Sequence, residues 1–420
     1  EFENGSSVRW SGELHGLWYY LDPYLLNSTI REDTTGPLAL DLNQDKIVHF
    51  YNNGNETLVD RFLDTNSDGA ADGAAVDTGI IPDAVASLWM AGAKLNSRNL
   101  ISSPRTIMTT LDGATLFNFI DTNKGNTTLQ TYLRATGATT TDRENDTAKI
   151  INYIRGDDQS GYRSRTITRN GSTNEWLLGD IVSSTPKLQS TNRLNSYSLA
   201  PPYGYNDTSY SLFVSSSDYQ DRGMVYVGAN DGMLHAFKLG ILDVSGQTKI
   251  RKARLTNKGA GNLGDEMWSF IPQNVLPYLK YYADPEYNHL YYVDSTVTLT
   301  DASIHTVNGC TGSYWQCDKK TGYKTATTEI DSDNTSWRTI LVGGMGLGGA
   351  SRYWGNTCST ATECVLSPVP GIGLSSYFAL DVTNQSNPSL KWEFSHPDLG
   401  YTTSGPAIVR VGNRNENGRW

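Results

Sequence analysis

The sequence is poor in the features that mark several large classes of protein. Its 420 residues hold four cysteines and six histidines, with no CxxC and no CxxCH, which removes zinc knuckles and c-type haem attachment. No stretch approaches the roughly 18 to 20 consecutive apolar residues of a membrane-spanning helix. Lys and Arg number 34 against 44 Asp and Glu, a formal net charge of -10. No basic run is dense enough to neutralise a row of phosphates, so nucleic acid is not an expected partner. No G-x-S-x-G, HExxH or Walker pattern places a nucleophile, a catalytic metal or a phosphate.

Present in quantity are 40 Gly, 24 Tyr and 10 Trp, with Ser, Thr and Asn crowding the intervals between short apolar runs. That mixture suits many short strands and turns. The period of the apolar pattern divides the chain near residue 175. Before it, "IPDAVASLWMAGAKLNSRN" repeats Val85, Leu88, Trp89, Gly92 and Leu95 at helical spacing after Pro82-Asp83, which predicts one amphipathic helix. "NTTLQTYLRATG" predicts a second, capped by Asn126 or Thr127 and stopped by Gly137, and "NDTAKIINYIRG" a third between Asp146 and Gly156. Residues 1–175 therefore read as an α+β region.

From about residue 176 to 420 the period is 2. "SLFVSSS", "MVYVGAN", "MLHAFKL", "YYVDSTVTLTD", "RTILVGG", "YFALDVT", "LKWEFS" and "PAIVRVG" read as strands, with one short helix in "NVLPYLKYYAD" capped by Asn274. Strands without helical crossovers argue for antiparallel sheets in a sandwich, barrel or propeller. A loose repeat favours the propeller. "VYVGANDGMLHAFKLG", and "ILVGGMGLGG" followed by "YFALDVT", share an apolar strand, a Gly-rich turn and an aromatic strand, the inner hairpin of a blade. In the first copy Asn230-Asp231-Gly232 supplies the turn.

Two close cysteine pairs, Cys310 with Cys317 and Cys358 with Cys364, sit in Gly/Ser/Thr-rich stretches. Two local disulfides in an oxidising compartment are their simplest reading. "DTNSDGAAD" carries the pattern of a calcium loop: Asp64, Asn66 and Asp68 at positions 1, 3 and 5, Gly69 at the sharp turn, the Ala70 carbonyl at 7 and Asp72 at 9. Ala75 stands where an EF-hand offers its bidentate Glu, so water or an outside ligand such as Asp77 would complete the shell. "DLNQD", Asp41 to Asp45, has Lys46 where Gly belongs and reads as a solvated turn. "RGD" at Arg155 to Asp157 falls where a helix is expected to end, which makes Gly156 a stop signal.

The ordered succession "YIRGDD", "GYRSR", "LGDIVSSTP", "MVYVGANDGMLHAF", "FIPQNVLPYLKYYADPEYNHLYYVDS", "WRTILVGGMGLGG", "YFALDVT" and "WEFSHPDLGYTTSGPAIVRVG" resembles the PilC/PilY family of type IV pilus tip-associated proteins. Upstream, "WSGELHGLWYYLD", "IREDT" and "LWMAGAKL" look like the stretch that precedes the propeller in that family. The resemblance implies a secreted bacterial protein, exported through the periplasm to the pilus tip and carried there with minor pilins. It would act in adhesion to a host-cell or abiotic surface and in pilus assembly, and not as an enzyme. It also implies a modified, quinoprotein-like β-propeller in the second part, of which residues 176–420 would supply about three blades and part of another, short of the four to eight that close a ring. The expectation is then that further chain or another polypeptide completes it. Family members often carry a further N-terminal region, in some cases of von Willebrand A type.

Two departures from the family pattern stand out. Residues 302–336 and the stretch "ASRYWGNTCSTATECVLSPVPGIGLSS" interpose Cys-bearing excursions, which on a rigid scaffold would be recognition surfaces. The hairpin also resembles the blade repeat of quinoprotein dehydrogenases, but those enzymes commonly cover their quinone with adjacent cysteines, which do not occur here. An oxidoreductase propeller and a purely structural filament cap are the alternatives to an adhesin.

Overall fold

The computed structural model describes residues 10–411 apart from 23, 25, 170, 171, 288, 308, 312–320, 324–329, 350–372 and 397. It is mainly β, and its six-stranded and four-stranded sheets are built around the two stretches that the repeat singles out.

The hairpin strands Met224–Gly228 and Leu234–Lys238 form the middle of a six-stranded sheet. Lys187–Gln189 lies outside Met224–Gly228, and Glu266–Phe270 flanks Leu234–Lys238. Ile107–Thr109 pairs parallel to Glu266–Phe270, and Phe117–Asn118 closes that side. Every residue of the two hairpin strands is buried, so they are covered on both faces and read as continuous apolar runs rather than alternating ones. On one face Met224, Tyr226, Leu234 and Ala236 join Trp268 and Phe270 in the main core; on the other Val225, Val227 and Phe237 pack with Trp18, Trp89, Trp176 and Leu255.

The second stretch forms a four-stranded antiparallel meander, Thr298–Ser303, Trp337–Gly344, Tyr377–Asp381 and Ser389–Phe394. Its Leu341, Phe378, Leu380 and Leu390 enter the same main core. A five-stranded antiparallel sheet, Trp18–Leu21, Ser28–Arg31, Ile47–Asn52, Thr57–Leu63 and Asp72–Ile80, occupies the N-terminal part. The sheets are open among the described residues, each ending on an edge strand.

The boundary expected near residue 175 runs between sheets that share strands. Ala39–Asp41 pairs with Arg251–Thr256, and Ile107–Thr109 with Glu266–Phe270. The N-terminal part thus supplies strands to two sheets whose other members come from the second part.

Several local expectations are corrected. The single helix read over residues 82–95 is a 3-10 turn, Pro82–Ala84, then a strand pair at Trp89–Met90, then a helix only over Ala91–Asn96. Backbone pairing of Trp89 with Gly16 overrides the helical period there. "SLFVSSS" is a helix, Thr208–Ser215: Asp207 caps it by accepting from the Tyr210 N–H, and Tyr210 and Phe213, three apart, meet Trp337. Among its described residues "PAIVRVG" forms no named strand, and of "YYVDSTVTLTD" only the end from Thr298 does, at the start of the strand Thr298–Ser303.

Two helices match one expected end each. Asn126 caps Thr127–Tyr132, but that helix stops at Leu133, whose N–H donates to Leu129 O at 2.9 Å, and not at Gly137; Gly156, at φ 123°, ends Thr140–Arg155. That second helix begins six residues before Asp146, at a Thr139/Asp142 capping box. The helix Leu276–Tyr282 has Val275, not Asn274, at its cap position; Asn274 instead donates through Nδ2 to the Ser395 hydroxyl at 3.1 Å.

Candidate functional site

The loop between Thr57–Leu63 and Asp72–Ile80 is folded by its own carboxyl groups. Asp64 Oδ1 accepts from the Asp68 N–H at 3.1 Å and Oδ2 from the Gly69 N–H at 3.0 Å. Asn66 Oδ1 accepts from the Asp68 N–H at 2.9 Å, and Asp68 Oδ1 from the Ala70 N–H at 2.9 Å. These successive Asx bonds wrap the chain so that positions 1, 3 and 5 stand around one turn. Gly69 is required twice over: its φ is +88°, and a Cβ would stand 2.7 Å from Tyr20 Cε1. Asp72 reaches back, Oδ2 accepting from the Thr65 N–H at 2.8 Å and hydroxyl at 2.7 Å, Oδ1 from Asn66 Nδ2 at 3.3 Å. The Thr65 hydroxyl, followed by its N–H, holds the Asp72 carboxyl below its ordinary value.

Asp64 has a partner the local pattern does not contain. Arg31, from the strand Ser28–Arg31, places Nη2 2.6 Å from Asp64 Oδ2, with both side chains wholly buried. Arg31 also donates through Nη1 to the carbonyls of Leu42 (2.9 Å) and Asp45 (3.2 Å). The guanidinium therefore ties the 64–72 loop to the "DLNQD" turn, and Ser67 Oγ donates to Asn43 Oδ1 across the same seam. Asp77 is drawn elsewhere, to Lys46 at 3.0 Å and Arg61 at 3.7 Å.

A calcium ion asks for hard oxygens clustered in one loop. Asn66, Asp68, Asp72 and the Ala70 carbonyl fit that demand in kind and in order, on the more exposed side of the turn. Asp64 fits it less freely, because Arg31 already balances its charge. Among the described residues no group of three or more His, Cys, Asp or Glu is disposed to hold a metal by itself. An ion here would depend on the Asn66 amide, the Ala70 carbonyl and water.

The polar residues of the hairpin form a second, different cluster. The strands are joined by residues 229–233, with the Ala229 N–H donating to Met233 O, not by a two-residue turn; among Asn230, Asp231 and Gly232 only the glycine has positive φ, +98°. His235 stands between two carboxylates, Nδ1 2.8 Å from Glu266 Oε1 and Nε2 3.1 Å from Asp231 Oδ1. Arg105 forks onto Glu266 through Nε and Nη2, both at 2.8 Å. Burial pulls His235 down, but the adjoining carboxylates of Asp231 and Glu266 outweigh it and raise the imidazole to about 9. Glu266 is held below its usual range by Arg105 and His235 despite its burial. Two cations and two anions thus neutralise one another where no substrate reaches, since His235 and Asp231 are buried to 1% exposure or less.

The "RGD" tripeptide is built into the framework. Arg155 donates through Nη1 to Phe119 O at 3.0 Å and through Nη2 to Arg105 O at 2.8 Å, which fastens the helix end to the sheet. Cys310 is not a free thiol; Cys317, Cys358 and Cys364 lie outside the described residues.

Curated relatives match much of this chain. It is 30% identical over 287 residues, 65% of its length, to a "type IV pilus biogenesis factor PilY1 homolog" of Xylella fastidiosa. It is 26% identical over 341 residues, 79% of its length, to the "type IV pilus biogenesis factor PilY1" of Pseudomonas aeruginosa strain UCBPP-PA14. The matched part spans only 14% and 21% of those two relatives. Both are named as biogenesis factors and neither as an enzyme. No family model matches the chain, and no solved structure matches it.

Proposed function

Because the chain belongs to the PilY1 family of type IV pilus biogenesis factors, we propose that it acts at the pilus tip by binding, in pilus assembly and in adhesion to a host-cell or abiotic surface. The observation that carries this reading is the similarity to named biogenesis factors over 65 to 79% of the chain. The buried state of the hairpin's ionisable groups supports binding over chemistry, because His235 and Asp231 would have to be uncovered before either could act on a quinone or a substrate.

The four-stranded antiparallel meander is compatible with a propeller blade, whereas the six-stranded sheet around the hairpin adds the parallel strand Ile107–Thr109 and its neighbour Phe117–Asn118 to four antiparallel strands. We take residues 176–420 as the propeller portion and residues 1–175 as the preceding α+β region, interleaved through shared sheets. In this reading the Cys-bearing excursions, each closed by its disulfide, and the sheet rims offer contacts to minor pilins and to the surface. Calcium belongs to the same proposal: Asn66, Asp68, Asp72 and Ala70, with Asp64 behind them, would hold it, and its charge would offset the acidic loop.

The test is deletion of the gene in its own host, with surface pili quantified after shearing and adhesion scored separately. Loss of pili, restored by the wild-type gene, is the expected result. Normal piliation would overturn the biogenesis role. Full piliation restored by a variant lacking residues 302–336, with adhesion lost, would separate an adhesin from a structural cap.

A further inference from the structure

A cavity of about 560 Å³ opens between the turn that follows Tyr377–Asp381, the short helix Ser217–Gln220 and the start of Trp337–Gly344. Its size falls within the roughly 300 to 1,000 Å³ of small-molecule sites. Its wall is mostly hydroxyl, amide and charged groups, with the aromatic rings of Phe213 and Tyr219 at one end.

The wall is rigidly built. Gln385 spends both ends of its amide across the cleft, accepting from the Gly223 N–H at 2.9 Å and donating to Asp221 O at 3.2 Å. Behind it, Asp301 anchors the helical segment to the meander: the hydroxyls of Tyr210 and Tyr219 both donate to its Oδ2 at 2.7 Å, and that of Thr339 to its Oδ1 at 2.6 Å. Four of the charged residues in the wall, Asp221, Arg222, Arg338 and Asp381, are already in ion pairs, Arg222 with Asp301 at 3.8 Å. Asp381 Oδ2 takes Arg338 at 3.4 Å and Lys391 at 3.2 Å, Asp221 takes Lys258 at 2.7 Å, and Arg222 lies over the Tyr219 ring while donating to Thr339 Oγ1 at 2.8 Å. An ionic ligand would have to break one of these pairs.

Neutral groups keep unused capacity. Asn384 Oδ1 accepts from the N–H groups of Ser386 (3.1 Å) and Asn387 (3.2 Å), which fixes the amide plane and leaves Nδ2 to donate. The exposed Asn387 amide and the Ser386 and Ser389 hydroxyls stand in the same wall. Adjacent hydroxyls that both donate and accept are the complement of such a wall.

From this we propose that the cavity binds a neutral saccharide, with Asn384 as a donor to its hydroxyls. The proposal rests on the cavity and not on the pilus reading. Isothermal titration of the purified chain with glucose, galactose, mannose and N-acetylglucosamine tests it, with sialic acid as the anionic arm. At least one neutral sugar should bind saturably. Asn384→Asp keeps the acceptor that holds the turn and removes the donor, so it should weaken that sugar about tenfold. Asn387→Ala should weaken it too, and Asn55→Ala, on a turn of the five-stranded sheet, should not. The proposal is overturned if no neutral sugar binds up to about 10 mM, if sialic acid is preferred, or if binding survives both cavity substitutions in chains whose circular dichroism is unchanged.

Discussion

Arg31 and Asp64, 33 residues apart in the chain, meet as an ion pair at 2.6 Å with no solvent exposure on either side chain. The pair sits at the root of the loop that carries the calcium pattern, so the loop's first carboxylate is neutralised from inside the protein. Whatever cation binds at the rim acts in addition to Arg31.

Removing that internal cation should therefore be costly. Arg31→Met leaves Asp64 buried and uncompensated, which in comparable sites costs about 3 to 5 kcal/mol. Thermal unfolding with and without calcium measures it. A large fall in midpoint with chelator, partly recovered by calcium, is expected; an unchanged midpoint would mean that the pair contributes nothing.

Calcium should raise the unfolding midpoint of the wild-type chain, since a ligand that binds only the folded state stabilises it. Asp68→Ala removes a rim carboxylate that the fold itself uses only for the Ala70 N–H, and should lower calcium affinity by about tenfold or more. Thermal unfolding reads the first and titration calorimetry the second. Equal affinity in the variant would move the ion to other residues.

Stability should fall as pH rises from about 5 to 9. His235, raised to about 9 by its carboxylate partners, contributes stability that is complete below its ordinary value of 6.5 and lost as pH climbs through the folded value. Burial pushes Glu393 up to about 7 and Asp45 up to about 6. Both therefore favour the fold when protonated, and that contribution is also lost on raising the pH through those values. The lowered carboxylates, such as Glu266, act in the opposite sense only at more acid pH, and His15, lowered by burial, opposes the fall as the pH rises towards its ordinary 6.5. Unfolding midpoints at pH 5.5 and 8.5 check this, the lower pH giving the higher midpoint, and His235→Gln should flatten the upper part of the profile.

Asp301 should be among the least replaceable residues of the meander. Asp301→Ala strips the acceptor from the hydroxyls of Tyr210, Tyr219 and Thr339 together, at an expected loss of about 3 kcal/mol or more. Chemical denaturation measures it. A loss below about 1 kcal/mol would show that the helical segment is held by the Trp337 aromatic cluster alone.

Sequence patterns located the hairpin and the meander because their strands carry short runs dense in β-branched and aromatic residues, "VYV" in Met224–Gly228 and "ILV" in Trp337–Gly344 among them. They misread the residues whose state depends on a distant partner. Trp89 follows a helical period yet pairs with Gly16, and Phe213 sits in a β-branched-looking run yet turns as a helix onto Trp337. At the candidate site the local part was legible, since Asx turns depend on residues two to five apart. Arg31 was not, because nothing in "STIR" announces a carboxylate 33 positions later. The Asp301 anchor was hidden for the same reason.

The claim on which the rest depends is that the protein belongs to the pilus end. Immunogold labelling of sheared pili, with antibody raised against the purified chain, tests it in one step. Gold at filament ends is the predicted result; pili without label, with the protein retained inside the cell, would contradict it.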